Sequence, residues 1–325
     1  MKKKFFFLIT IIFYYLILTV IIFSFSYISL ISGKTYDLFW IKSIQEKIYT
    51  RGYRNIWQYN NSCASFDKDL LYKPNIGNCN FSNPEFKTEL NFNEFSREHY
   101  HKNENMNQDD YILVLGDSIA MGWGVNDKQT FSFLLEKKLN KTIYNLGVSS
   151  YGTVREIKRM KLSPYYKKSK TIIIQYSPND IYENQDLDIN KTYSEADFKE
   201  FFENEEHNLN TIKFILRNYK SSIRLFFSDI IDIFTKKGNI HLIDFDKDKK
   251  YLEKVISENI DLKNKDTIVF LTLAPYQKVI NFQKSDYNIQ YYLIELKKDD
   301  FFIIDEHPNE KGHAQIAEKL FEILK

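Results

Sequence analysis

The run from Tyr111 to Leu115 is apolar without polar alternation and carries the β-branched Ile112 and Val114. That is the pattern of a strand buried on both faces. Gly116, Asp117 and Ser118 follow directly, so the chain must turn where the strand ends. A doubly buried strand needs a layer above it and a layer below it, which points to a parallel sheet clothed by helices. In such a sheet, ligands collect beyond the carboxyl ends of the strands. A serine on a tight turn there presents its hydroxyl, with the free N–H groups of a following helix beside it.

The 325 residues have room for one large domain, or a domain with an appendage. From Asp109 the pattern alternates between strand and helix. Phe131, Phe133, Leu134, Leu135 and Leu139 recur at helical spacing, and residues 142–146 read as a short second strand. Val154 to Leu162 reads as the next helix, and Thr171 to Tyr176 as a third buried strand ending at Ser177-Pro178-Asn179-Asp180. This order predicts parallel pairing through right-handed crossovers. Residues 181–266 break the regularity as a charged, helical insertion in which Ile215, Leu216 and Ile223 alternate with Arg217 and Lys220. Its pattern fits an amphipathic helix packed on the domain, with a membrane-facing or substrate-covering helix as the alternative. The sheet is expected to resume at Thr267–Leu273 and again at Phe301–Ile304, and residues 309–325 form a closing helix.

Ahead of this lies a different kind of chain. Lys2, Lys3 and Lys4 precede an apolar stretch, and no charged residue follows until Lys34. Roughly 20 apolar residues span a bilayer, so residues 5–32 are expected to form a transmembrane signal anchor. The competing reading, a cleavable signal peptide, calls for a shorter core and a small-residue cleavage site. The lysines keep residues 1–4 in the cytoplasm and place the rest outside, as a single-pass protein of a bacterial inner membrane with a periplasmic or extracellular domain. Residues 33–108 form a membrane-proximal, loop-rich β appendage, and 109–325 the main domain. Cys63 and Cys79 are the only cysteines, and export to an oxidising compartment predicts that they pair. No His or Cys lies near them at ligand spacing, so no metal site is expected. His99 and His101 read as loop polarity, and the net charge of +2 carries no nucleic-acid footprint.

Ser118, Gly147, Asn179 and the pair Asp305/His307 each follow an expected strand. In one parallel sheet those ends share an edge, so distant residues converge. A serine hydroxyl becomes nucleophilic when an imidazole takes its proton, and the imidazole needs a partner to fix its tautomer. An oxyanion needs donors already aimed at it, and Gly147 offers an N–H with no Cβ in the way. The chain resembles the SGNH/GDSL hydrolase superfamily through four blocks: Gly116-Asp117-Ser118, Asn145-Leu146-Gly147, Ser177-Pro178-Asn179-Asp180, and Asp305-Glu306-His307 running on to His313. Gly122-Trp123-Gly124-Val125 and Thr130-Phe131 are similar to exported, membrane-anchored branches linked to polysaccharide acylation.

The resemblance covers residues 109–180 and 267–325 and implies a three-layer α/β/α sandwich with a parallel, flavodoxin-like sheet. It also implies Ser118 as nucleophile, His307 as general base and Asp305 as its orienting acid. Backbone N–H groups of Ser118 and Gly147 with the Asn179 side chain would form the oxyanion hole, and no cofactor is implied. Two positions depart from the pattern. Ser177 stands where the third block usually has glycine, and Asp305 lies two residues before His307 instead of three, with Glu306 between them. The spacing leaves open which acid reaches the imidazole. Asp117, Asp180 and His313 read as structural residues. The expected function is a serine esterase or O-deacylase acting on an exported glycan or lipid-linked carbohydrate. The alternatives are an O-acyltransferase of a cell-surface polysaccharide using the same triad, and a non-catalytic glycan-binding or assembly protein. An α/β-hydrolase is disfavoured, because Gly-x-Ser-x-Gly is absent around Ser118.

Overall fold

The computed structural model describes residues 2–97, 111–186, 188–203, 214–223 and 241–325. The chain opens with α1 (Lys2–Ile31) and α2 (Phe39–Ile48). Two antiparallel hairpins follow, β1 (Ala64–Asp67) with β2 (Leu71–Pro74) and β3 (Gly77–Asn83) with β4 (Phe86–Phe92). Next come β5 (Tyr111–Gly116), α3 (Ser118–Met121), α4 (Phe131–Leu139), β6 (Ile143–Asn145), α5 (Thr153–Leu162) and β7 (Ser169–Gln175). The short α6 (Ile181–Asn184), α7 (Glu195–Glu203) and α8 (residues 214–223) occupy the following stretch. The chain closes with β8 (His241–Asp244), α9 (Phe245–Asn259), β9 (Asp266–Leu273), β10 (Gln277–Ile280), β11 (Ile289–Glu295) and α10 (Glu310–Leu324).

The central sheet has the order β11-β9-β7-β5-β6 with every pairing parallel. Renumbered along the chain this is the doubly wound, flavodoxin-like order, whose direction reverses between β5 and β7. Alternate residues feed opposite faces. Leu113, Leu115, Ile172, Ile174, Val269 and Leu271 pack with α5 and α9. Ile112, Val114, Ile173 and Phe270 pack with α4 and α10. The result is three layers, with ligand-bearing loops at the carboxyl edge.

The fifth strand is not where the pattern placed it. Phe301–Ile304 makes only an isolated bridge, Phe301 to Pro308, and the edge strand is β11. The Ile303 and Ile304 N–H groups donate instead to the Glu85 carboxylate, at 2.7 and 2.9 Å. β11 is half-buried and mixed in polarity, so its sequence signal is weak. The stretch 181–266 also holds more than an insertion. Phe245, Leu252, Val255 and Ile256 of α9 lie in the main core, making α9 the covering helix between β7 and β9. His99 and His101 lie outside the described residues.

Residues Phe5–Ile31 of α1 are long and apolar enough to cross a membrane or to act as a signal sequence. The last turns of α1 are packed: Phe23 and Leu30 are buried with Ile44, Ile48 and Tyr49, and with Phe214, Ile215 and Tyr219 of α8 alongside. Cys63 and Cys79 are joined as a disulfide. They sit in a second core with Trp57, Tyr72 and Phe81, which continues into Met121, Trp123, Val148 and Tyr151 of the main domain. The appendage therefore packs against the loops that follow β5 and β6.

Candidate active site

Gly116 ends β5 at φ +141°, and a Cβ there would fall 2.7 Å from Ala120 Cβ and 2.8 Å from Gln175 Cβ. Only glycine lets the chain turn so sharply here. Asp117 caps α3 by accepting from the Ile119 N–H at 3.2 Å. Burial pushes the Asp117 carboxyl up, and its hydrogen bonds with Ile119 and Ser177 offset only part of this. Ala120 N–H donates to Gln175 Oε1 and Met121 N–H to Asp117 O. Among the described residues this leaves the Ser118 N–H as the unclaimed donor of the first turn.

The Ser118 Oγ lies 2.7 Å from His307 Nε2. On the far side of the ring, His307 Nδ1 meets Asp305 Oδ1 in a short contact. The acid that reaches the imidazole is thus Asp305 and not Glu306, which is exposed at the cavity edge. The two-residue spacing works because Asp305 Oδ1 also accepts from the His307 backbone N–H at 3.2 Å, a local Asx-type turn. With Nδ1–H given to the carboxylate, Nε2 is free to accept from the serine hydroxyl. Burial alone would raise the Asp305 carboxyl. The adjacent His307, with Arg54 and the Tyr49 hydroxyl, more than offsets it and holds Asp305 well below the usual carboxylate range.

A cavity of about 290 Å³ opens beside Ser118 and His307, walled by Arg54, Gln58, Ser149, Ser150, Ser177 and Asn179 among others. Ser177 takes ordinary extended backbone, φ −115° and ψ 137°, so the third block needs no glycine at its start. Asn179 is exposed on the cavity wall. Gly147 departs from expectation. Its N–H donates to Asn145 Oδ1 at 3.0 Å, and it does not line the cavity. A Cβ on Gly147 would approach Met121 N to 2.6 Å, so the residue type is fixed by close packing on α3. Asn145 is itself tied to Ala120 O and Ser132 Oγ. Of the three residues expected to donate, Ser118 and Asn179 line the cavity and Gly147 does not.

The residues read as structural are accounted for. Thr153 Oγ1 donates to Asp180 Oδ2 at 3.2 Å, and Asp180 is fully buried. His313 Nδ1 accepts from the Phe131 N–H at 3.2 Å, its ring stacks on Phe131, and burial pushes it down to about 3.

Sequence reading missed the residues that brace Asp305. Its Oδ2 accepts from Tyr49 Oη at 2.5 Å and Trp123 Nε1 at 3.0 Å, with Arg54 Nε at 3.7 Å. The Trp123 indole stacks on the His307 ring, 5.0 Å between centroids. Glu85, on the β3–β4 turn, accepts from the N–H groups of Ile303, Ile304 and Asp305. Arg97 is buried, ion-paired with Asp127 at 2.6 Å, and donates to the carbonyls of Met121, Gly122 and Val125. It thereby clamps the loop that carries Trp123. No local signal marked Tyr49, Arg54, Glu85 or Arg97. Trp123 was flagged only through its Gly-Trp-Gly context.

Fold and site together define a doubly wound α/β protein with a serine–histidine–aspartate cluster at the carboxyl edge of its sheet. The family model for GDSL-like lipase/acylhydrolase matches residues 112–320. The chain belongs to that family, and it is a hydrolase of ester bonds. A comparison with curated proteins finds no match. Among solved structures, a G-D-S-L lipolytic protein from Desulfitobacterium hafniense is 13% identical, with 66% of this chain and 99% of that chain covered and a TM-score of 0.33. A G-D-S-L family member from Veillonella parvula is 15% identical, with coverages of 66% and 98% and a TM-score of 0.30. A family two carbohydrate esterase from Clostridium thermocellum, solved with cellohexaose, is 12% identical, with coverages of 67% and 64% and a TM-score of 0.34.

Proposed function

We propose that the protein is a serine esterase or O-deacylase that removes acyl groups from an exported glycan or lipid-linked carbohydrate. The observation that carries this is the 2.7 Å contact between Ser118 Oγ and His307 Nε2, with Asp305 on the other ring nitrogen. In this reading Ser118 Oγ attacks the ester carbonyl while His307 Nε2 takes its proton. The carbonyl π electrons move onto oxygen, where the Ser118 N–H and Asn179 amide donate to the oxyanion. Collapse expels the sugar alkoxide, which takes the proton back from His307 and leaves an acyl-serine. Water then attacks, its proton passing to His307, and the acid leaves as Ser118 is reprotonated. If a sugar hydroxyl replaces water in the second half, the same site performs O-acyl transfer.

A cavity walled by hydroxyl, amide and guanidinium groups suits a carbohydrate better than a long acyl chain. The apolar α1 behind Lys2 to Lys4 supports an inner-membrane anchor with the domain outside, and the Cys63–Cys79 disulfide accords with an oxidising compartment. The test is to treat the full chain in detergent with a fluorophosphonate probe and then with acylated glycans, with and without an acceptor sugar. Labelling at Ser118 and release of a free acid support hydrolysis, and appearance of the acyl group on the acceptor supports transfer. An unlabelled Ser118 would overturn the reading.

A further inference from the structure

Tyr49 and Arg54 lie outside the residues that match the family, on the segment leaving the anchor helix. Both nevertheless reach the Asp305–His307 pair. Tyr49 Oη donates to Asp305 Oδ2 at 2.5 Å from a buried position. The Arg54 guanidinium stacks on Trp123 at 4.7 Å, lies 3.2 Å from His307 Nδ1 through Nη2, and borders the cavity. The same segment is fastened to α1. Gln45 of α2 is fully buried and donates to Ser29 Oγ and Lys34 O, both at 2.9 Å. Tyr49 shares a buried cluster with Phe23 and Leu30 of α1 and with Ile304, the neighbour of Asp305. Arg51 donates to Ser221 Oγ at 2.8 Å, adding α8 to the same assembly.

We infer that Tyr49 and Arg54 are positioning residues of the catalytic site, so that the site is assembled on the membrane anchor and is incomplete in the family-matched domain alone. This rests on the reading of Ser118, His307 and Asp305 given above. Tyr49 fixes the carboxylate oxygen that does not face the imidazole, which leaves Oδ1 aimed at Nδ1–H. Arg54 pairs with that same Oδ2 at 3.7 Å and lies on the Trp123 indole that stacks on the imidazole, so it steadies both the carboxylate and the ring. The other ionisable groups facing the pair are Asp117 from the nucleophile turn, Glu85 from the β3–β4 turn, the adjacent Glu306, and His313 from α10. None of these comes from α1 or α2, so the anchor-side contribution is separable by mutation.

The test uses the full chain in detergent, with fluorophosphonate labelling rate and the kcat and KM of p-nitrophenyl acetate turnover as readouts. Tyr49→Phe keeps the ring in its cluster and removes only the donor. It should lower kcat by about tenfold or more, the size of a lost hydrogen bond to a charged group. KM should hold, because Tyr49 does not line the cavity. Arg54→Gln should lower kcat and the labelling rate severalfold, and Arg54→Lys should restore much of both by returning the charge beside Asp305. Thermal unfolding of each variant separates loss of fold from loss of positioning. If Tyr49→Phe does not fold, the Arg54 pair decides alone. Wild-type rates in the folded variants, with wild type labelled and Ser118→Ala not, would overturn this inference while leaving the function intact. No labelling of wild type would overturn both together.

Discussion

Ser118 is nearly buried and contributes one hydroxyl to a turn held by Asp117, so Ser118→Ala should abolish ester turnover without loss of fold. His307→Ala should be comparably damaging, because residues that act as one unit do not lose activity additively. Asn179→Ala should cost roughly 10²–10³ in turnover, the loss seen when one oxyanion donor is removed. The two neighbouring acids give the sharpest contrast. Asp305→Asn should lower kcat far more than Glu306→Gln, since only Asp305 touches the imidazole; the reverse ranking would reassign the orienting acid. His313 makes a separate prediction. A buried histidine whose folded pKa is depressed is protonated first in the unfolded chain, so stability falls as pH drops through the unfolded value, about 6.5. The loss continues down to the folded value of about 3. Unfolding midpoints of wild type and His313→Gln should therefore diverge in slope below pH ~6.5, the variant being the flatter.

At the scale of elements, the loop between β11 and α10 carries Asp305 and His307 without regular backbone pairing to support it. Its support is imported from the β3–β4 turn, where one carboxylate collects three successive N–H groups. Burial pushes the Glu85 carboxyl up, and those donors offset part of the rise. Glu85→Ala should cost about 2 kcal/mol of unfolding free energy, because the donors are left without an acceptor. It should also depress kcat by letting Asp305 drift. Denaturant titration alongside turnover measures both, and unchanged kcat in a folded variant would show that the loop holds itself. The strands and helices that build the sheet were readable because each carries its own period. Tyr111–Gly116 is apolar throughout, Ser169–Gln175 carries the run Ile172-Ile173-Ile174, and α10 shows one buried stripe. β11 escaped because an edge strand is half solvated and its polarity is mixed. Phe301–Ile304 drew attention for the opposite reason. Its apolar side chains pack, while its N–H groups go to the Lys298 and His307 carbonyls and the Glu85 carboxylate and not to a neighbouring strand.

Over the whole molecule, the apolar α1 and the hydrolase domain form one structure, with the site close to the segment that follows α1. Protease added to cells with a permeabilised outer barrier should digest the domain beyond residue 34, and full protection would overturn the proposed topology. The sequence alone determined the four blocks, their order along a strand–helix alternation, and the apolar N-terminal segment. Turn chemistry and hydrophobic period are properties of contiguous residues, and these features are contiguous. It pointed to Ser118 and Asn179 at one carboxyl edge, because parallel strands end together there, whereas His307 reaches them from a loop and not from the strand expected at Phe301–Ile304. Only the tertiary structure decided that Asp305 and not Glu306 meets the imidazole, and that the Gly147 N–H turns to Asn145. Only it brought Tyr49 to Asp305, 256 residues away along the chain, and Trp123 to the same carboxylate across 182. The Tyr49 contact follows from how the segment after α1 docks beside the sheet edge, and docking between distant surfaces leaves no periodic mark on either of them.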